Sequence, residues 1–392
     1  MQKTYRVAAR MKKLQPSGIR RWFSLAQQYP DIISLTLGEP DFIPPKHVLE
    51  AATKAMTEGK THYPPTMGIL ELREALAAKA KNDYGLTYHP ETEILVTVGA
   101  TEAVAMALLA IVEEGDEVLI PDPGFVCYEP AVKMAGGTPV SIPLYEDDGF
   151  DLLIENVISR VTKKSRVMLV NSPHNPTGTV LPYNTLRELC KIAVERDLIV
   201  ISDEVYEKII YDESKFHCLA AFPEMRDRTL VVNSFSKTYA MTGFRIGYVM
   251  GCEELIEALS LAHQFTVACV DGPAQYAALA ALQGPQDFVQ NMVKEFDRRR
   301  RLIHSRLNEI DGFKCALPKG AFYVFPNIKK FGLSSSEFAE FLIKEARVAA
   351  VPGISFGKNG EGYVRFSYAA SYEDIEEALN RIEKAVKKLG FS

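Results

Sequence analysis

Tryptophan is almost missing: the chain has one, against 17 tyrosines and 20 phenylalanines. Other shortages bear more directly on function. Six cysteines are scattered through 392 residues with no C-x-x-C pair. That argues against a disulfide framework or a thiolate metal site, and for a reducing compartment. Seven histidines show no H-x-x-x-H or comparable spacing, so no metal centre is expected. Positive charge is not in excess. Lys and Arg number 45 against 50 Asp and Glu, a net charge of −5, so a general nucleic-acid footprint is absent. The one dense basic run, Asp297 to Arg301 (DRRRR), reads as a solvated helix face. Long apolar runs are also lacking. The longest, Ala103 to Val112, falls far short of the roughly 20 residues that span a bilayer. The opening stretch MQKTYRVAARMKKLQPSG has no apolar core of a secretory signal, which makes the cytoplasm the expected location. No repeat and no low-complexity tract is found. No G-x-G-x-x-G follows the first strand of the alternating region, which argues against a nucleotide-dependent dehydrogenase.

What remains is the composition of a globular chain, 47% apolar and 24% charged, too long for one ordinary core. From about residue 93, short β-branched runs alternate with helical ones. The strand-like runs are EILVTVG, DEVLIP, TPVSIPL, SRVMLVNS, LIVISDE, TLVVNSFSK and RIGYVMG. Near-continuous apolar strands alternating with helices predict an α/β fold with a mostly parallel seven-stranded sheet sandwiched by helices. After about residue 285 a long charged helix, two short strands (in VAAVPG and GYVRFSYA) and a last amphipathic helix predict a smaller α+β domain. The expected division is a large domain over 45–285 and a small one over 286–392. Residues 1–44 form a segment able to pack on either and are assigned to the small domain.

In an open α/β sheet, ligands bind beyond the carboxyl ends of the strands, so the residue after each strand carries the chemistry. Gly99-Ala100-Thr101 turns into a helix whose free N–H groups suit an anion; a plain turn with Thr101 as cap is the bland alternative. Asn175, in NSPHNPTG, is a fixed amide or part of a structural loop. Asp203, ending LIVIS, is costly to bury without a cation; Tyr206 follows it. Ser234, Ser236 and Arg245 are phosphate-binding residue types, and Lys237 stands among them. Each taken alone has an ordinary structural reading. Together they offer an anion nest, an amide, a carboxylate, a tyrosine and a lysine. A ligand with a phosphate, a basic ring nitrogen, a phenolic oxygen and an aldehyde would use all five, and pyridoxal 5′-phosphate has those groups.

At these residues the sequence resembles the class I/II aminotransferases of the pyridoxal-phosphate fold-type I superfamily, in the aspartate/aromatic branch. The matching stretches run in one order: LTLGEPDF, HYPPTMGILELREAL, VTVGATEA, PDPGFVCYEPAVKMAGG, NSPHNPTG, ISDEVYE, SFSKTYAMTGFRIGY, KGAFYVFP, VPGISFG and GYVRFSYA. The resemblance implies that Lys237 carries the cofactor as a Schiff base and shuttles the proton. It implies that Asp203 pairs with the pyridine nitrogen while Tyr206 and Asn175 bond the ring oxygen. It implies that Gly99, Ala100, Thr101, Ser234, Ser236 and Arg245 hold the phosphate and that Phe125 stacks on the ring. Tyr63 would reach the phosphate of a neighbouring subunit in a homodimer. Arg365 would clamp the substrate α-carboxylate with Gly38 and Asn175, since a guanidinium meets a carboxylate in a planar, two-bond fit.

The implied reaction is transfer of the amino group of an L-amino acid to a 2-oxo acid, 2-oxoglutarate being the expected acceptor, in two ping-pong halves. Substrates are expected to be aromatic or broad, with aspartate retained as an alternative. The competing readings are a cysteine-S-conjugate β-lyase on the same cofactor site and a cofactor-binding regulator. Neither nucleic acid nor membrane is expected as a partner.

Overall fold

A computed structural model describes residues 7–12, 14, 16 and 18–389. Half of the stretch read for a secretory signal, including its first six residues, lies outside the described residues.

The strands are, in chain order, β1 (Ile33–Ser34), β2 (Ile94–Thr97), β3 (Glu117–Asp122), β4 (Thr138–Pro143), β5 (Ser165–Asn171) and β6 (Ile199–Asp203). They continue with β7 (Thr229–Ser234), β8 (Gly247–Met250), β9 (Tyr323–Val324), β10 (Val348–Ala349), β11 (Val351–Pro352) and β12 (Val364–Ser367). Seven of them form the main sheet in the order β2-β8-β7-β6-β5-β3-β4. All of its pairings are parallel except those of β8, which runs against both β2 and β7.

The two faces of this sheet explain the unbroken apolar runs. Along β5, Val167 and Leu169 join a core with Ala103, Ala107 and Leu108 of the helix Gly99–Ile111. Met168 and Val170 point the other way, into a core with Leu186, Leu189 and Ala193 of the helix Tyr183–Glu195. Side chains alternate along a strand, so a strand covered on both faces needs apolar residues at every position.

Register fixes the site. Asn171 at the end of β5 pairs with Asp203 at the end of β6. Ser234 at the end of β7 and Thr97 at the end of β2 both pair with Gly247, the first residue of β8. Because β8 runs backwards, the chain entering it lies at the same edge as the chain leaving β7. Arg245 and Lys237 therefore share one edge.

Beyond residue 285 the chain builds a second core. Phe296 and Ile303 of the helix Asp287–Glu309 pack with Phe322, Phe338, Ile375, Leu379 and Ile382. An antiparallel sheet β11-β12-β9 and a parallel pair β1-β10 accompany it. The stretch VAAVPG, read as a single strand, is two: β10 pairs with β1 and β11 pairs with β12, with Ala350 between them. Trp22 and Ala26 of the helix Gly18–Ala26 are buried with Ala339, Ile343 and Ala349.

The basic run is a correction to the sequence reading. Arg298 and Arg301 are solvated, but Arg299 is 6% exposed and Arg300 fully buried. Arg300 donates to Asp297 at 2.7 Å, to Asp212 at 2.8 Å and to the Pro318 carbonyl at 2.6 Å, and lies over the Tyr211 ring. Arg299 donates to Asp41 at 2.7 Å and to Glu295 at 3.0 Å. Four consecutive helical residues turn through about 100° each, so a run of four covers every side of the helix and cannot all face water.

Candidate active site

Lys237 sits in the one-turn helix Phe235–Thr238, directly after β7. The helix starts there because Ser234 caps it. The Ser234 hydroxyl accepts the Ser236 N–H at 3.1 Å and lies 2.8 Å from the Ser236 hydroxyl and 2.9 Å from the Ile246 carbonyl. The Lys237 amine is half-buried and donates to the Gly38 carbonyl at 2.5 Å. Loss of hydration lowers its pKa to about 8; nearby Glu39 and Asp203 oppose that shift, while Arg245 and Arg365 add to it. Only glycine fits at 38, since a Cβ there would stand 2.0 Å from the Tyr323 hydroxyl.

Asp203 is 5% exposed. Its Oδ2 accepts the Tyr128 hydroxyl at 2.7 Å, and the Val205 N–H makes a long bond to Oδ1. Burial raises the pKa of this carboxyl above the ordinary range, although Tyr128, Val205 and Lys237 all pull it down. Among the described residues no side-chain cation lies at ion-pair distance from it. Asn171 braces the same strand end, donating to the Asp203 carbonyl at 2.9 Å and accepting the Asn175 N–H at 3.0 Å.

Arg365, in β12, is fully buried. One nitrogen donates to Asn175 Oδ1 at 3.0 Å and another to the Thr36 carbonyl, but Nε has no partner. Two rings flank the guanidinium, Tyr323 at 4.3 Å and Phe356 at 4.9 Å. Among the described residues no carboxylate pairs with it. Tyr206 joins this group through its hydroxyl, 2.8 Å from that of Tyr323.

The anion-binding types gather where β2, β7 and β8 meet. Gly99 has φ +76°, and a Cβ there would lie 2.6 Å from the Arg245 guanidinium, so glycine lets the cation come close to the helix start. Arg245, itself at φ 53°, is exposed and donates to the Thr242 carbonyl at 3.0 Å. Ala100 and Thr101 occupy the first turn of the helix Gly99–Ile111, whose leading N–H groups have no intrahelical acceptor. The alternative of Thr101 as the cap does not hold: the helix already starts at Gly99, with Val98 before it. Thr101, Phe125 and Tyr128 line one cleft of about 1310 Å³, with Arg21 and Trp22 also on its wall. The Phe125 ring stands edge-on to Tyr128 at 5.6 Å.

The fold thus brings together Gly38, Asn175, Asp203, Tyr206, Lys237 and Arg365, with Phe125, Gly99, Ala100, Thr101, Ser234, Ser236 and Arg245 along the same sheet edge. It leaves Tyr63 apart, 90% exposed on the surface of the single chain. Sequence reasoning missed Tyr128, Tyr323, Asn171 and Glu39. Tyr128 lies three residues beyond Phe125, where a turn closed by the Tyr128 N–H on the Phe125 carbonyl at 3.1 Å leads into the helix Tyr128–Ala135 and brings the two rings together. Asn171 lies level with Asp203 at the ends of neighbouring strands. Tyr323 had no local signal, since it meets Tyr206 from 117 residues away.

The side chains fit pyridoxal phosphate on this geometry. A buried carboxyl lacks a cation, an amine of lowered pKa stands near it, and a guanidinium and a helix start converge beyond. The buried Arg365 has an Nε without an acceptor and, among the described residues, no carboxylate partner, which is costly for a buried cation.

Comparison with known proteins points the same way. Residues 30–382 match the family model for aminotransferase class I and II. The chain is 48% identical over 381 residues to an aspartate aminotransferase of Pyrococcus abyssi, covering 97% of this chain and 98% of that one. It is 47% identical over 381 residues to aromatic-amino-acid aminotransferase 2 of Thermococcus litoralis, with the same coverage. The solved structure of aspartate aminotransferase from Thermus thermophilus with maleate aligns at a TM-score of 0.93 and 38% identity, over 97% of this chain and 100% of that one.

Proposed function

The chain belongs to the class I and II aminotransferases, and from that premise we propose that it transfers the amino group of an aromatic or acidic L-amino acid to 2-oxoglutarate, by a ping-pong mechanism with pyridoxal 5′-phosphate bound at Lys237. That it is a transaminase follows from the family. The donor, the acceptor and the residue roles are our reading. The observation that carries it is the buried Arg365, which among the described residues has no carboxylate partner and an Nε without an acceptor.

When bound, pyridoxal phosphate supplies the electron sink that makes the substrate Cα acidic. The chain's own residues do the rest. Lys237 is the residue that would hold the cofactor through its aldehyde, and its amine, when free, would take the proton from the substrate Cα. With a pKa of about 8, about a tenth of such an amine is neutral at pH 7, close to the working range of a general base. Asp203 would hold the ring nitrogen in its charged form, and Tyr128 keeps Asp203 oriented. Tyr206 and Asn175 would bond the ring oxygen, and Phe125 would pack on the ring. Arg245, Ser234, Ser236 and the N–H groups of Gly99, Ala100 and Thr101 would hold the phosphate. Arg365, with Asn175 and Gly38, binds the substrate α-carboxylate and so fixes which Cα bond faces Lys237.

Several wider features belong to the same reading. We assign 45–285 to a large cofactor-binding domain and 286–392 to a small domain, with 1–44 packed on the small domain; the burial of Trp22 and Ala26 against Ala339, Ile343 and Ala349 supports this. Tyr63 completes the phosphate site of a second copy in a homodimer, a role its 90% exposure supports. The cytoplasm suits a chain whose six cysteines are all free. Among the described residues no helix is long and apolar enough to cross a membrane.

The two relatives bear names for different donors at nearly equal identity, so likeness does not choose between aspartate and an aromatic substrate. A panel of amino donors with 2-oxoglutarate tests the proposal. Glutamate formed in step with the donor's keto acid supports it. Pyruvate and ammonia released from a cysteine conjugate, with no glutamate formed from any donor, would favour the β-lyase reading instead.

A further inference from the structure

Glu39 has no part in the roles above, yet it stands beside the lysine that performs the chemistry. Its Oε1 accepts the Thr242 hydroxyl at 2.6 Å. Thr242 is the first residue of the turn Thr242–Phe244, which connects the Lys237 helix to β8. The same residue's carbonyl accepts Arg245 at 3.0 Å. One step back along the chain from Glu39, the Gly38 carbonyl accepts the Lys237 amine at 2.5 Å. Thr242 therefore ties down two groups of opposite charge, a carboxylate through its side chain and a guanidinium through its main chain. Both bear on one amine.

We propose that the Glu39–Thr242 pair is a latch that fixes the Gly38 carbonyl over the Lys237 amine, which makes Glu39 a positioning residue for the group that moves the proton. The inference rests on the proposed role of Lys237. The segment that carries Gly38 is anchored further on, where Asp41 accepts Arg299 at 2.7 Å and Phe42 packs edge-on against Phe288 and Phe296. Apart from the Lys237 bond to Gly38 itself, Glu39 on Thr242 is, among the described residues, the side-chain hydrogen bond that fastens this segment to the Lys237–Arg245 turn. The pair is exposed, so its worth as a stabiliser of the fold is small. Its worth for Lys237 is local, because the carbonyl it holds is next in sequence.

Charge gives the latch a second effect. The charged groups that bear on Lys237 are Glu39 and Asp203, which favour the ammonium, and Arg245 and Arg365, which oppose it. Asp203 and Arg365 are buried, and Arg245 is placed to be engaged by a phosphate. Glu39 is the exposed member of the negative pair, and it can be neutralised without leaving a buried charge unpaired.

The test is acylation of the Lys237 amine as a function of pH, in the full chain freed of cofactor, read by mass spectrometry of the peptide that carries it. In the parent the midpoint should lie at about 8. Glu39→Gln should move the midpoint to lower pH and speed labelling at pH 7, because a charge that favours the ammonium has gone. Thr242→Val should raise the plateau rate at high pH, as the amine leaves the Gly38 carbonyl. Thr242→Ser, which keeps the hydroxyl, should retain the parent plateau. A Glu39→Gln curve superimposed on the parent's, a Thr242→Val plateau equal to the parent's, or a Thr242→Ser plateau equal to that of Thr242→Val overturns the proposal. Borohydride fixation of pyridoxal phosphate in the parent separates the two readings. If the label is on Lys237 and the curves superimpose, only the latch falls; if the label is elsewhere, the role of Lys237 falls first.

Discussion

Removing one hydroxyl, in Tyr128→Phe, should weaken cofactor retention more at low pH than at high pH. Tyr128 and Asp203 are both buried, and the phenol donates to Oδ2 at 2.7 Å. A hydrogen bond to a charged group contributes about 1.5–3 kcal/mol, but this one is already made without the cofactor, so only the part by which it strengthens on binding counts. With about half of that range, and about 1.4 kcal/mol being tenfold in an equilibrium, pyridoxal phosphate should bind on the order of 10-fold more weakly. The variant keeps the ring, so the packing against Phe125 survives. The pH dependence follows from the sign of the shift. Burial already raises the Asp203 pKa, and the Tyr128 bond is the largest of the effects that lower it. Without that bond the pKa rises further, and the carboxylate form that attracts a ring cation becomes scarcer as the pH falls. In the cofactor-free chain the raised pKa has its own consequence. The folded state holds the Asp203 proton more tightly than the unfolded one, so stability from this group falls as pH rises from the unfolded value of about 3.9 through the folded value. The assay is titration of the cofactor-free variant with pyridoxal phosphate at pH 6 and pH 8, beside the parent. Equal affinity for parent and variant at both pH values would refute the reasoning.

Three other changes have defined outcomes. Arg365→Lys keeps the charge but loses the planar pair of donors, and should raise KM for amino donors on the order of 100-fold; an unchanged KM would remove Arg365 from carboxylate binding. Arg300→Leu leaves the buried Pro318 carbonyl without its donor and takes from Asp297 and Asp212 one of the two guanidiniums they share, Arg301 remaining, and should cost about 2 kcal/mol in denaturant unfolding. A loss below about 0.5 kcal/mol, the size of an ordinary surface substitution, would restore the solvated-face reading. Tyr63→Phe should weaken cofactor retention in the dimer while leaving a dilution-generated monomer as it was; equal effects in both would place Tyr63 outside any shared site.

Much of the site was legible because α/β sheets put their polar residues at one edge. Asp203, Lys237 and Asn175 each follow an apolar strand, and register then sets Asn171 beside Asp203 and Ser234 beside Gly247. Arg365 was not legible in the same way. A strand arginine ordinarily reads as a surface ion pair, and only the fold shows it buried with an empty donor. Tyr323 was hidden because its partners, Tyr206 and Arg365, come from distant parts of the chain. The DRRRR run misled for the opposite reason. Its local pattern suggested a solvated face, but the buried carbonyl of Pro318 and the nearby Asp212, which draw Arg300 inward, belong to other segments.

The central claim is that the Lys237 amine binds the cofactor aldehyde. Incubation with pyridoxal phosphate, reduction with borohydride and peptide mapping test it directly. The account predicts one dominant pyridoxyl label, on the peptide containing Lys237, and its loss in Lys237→Ala. A label on another lysine, or a protein that takes up none, would contradict it.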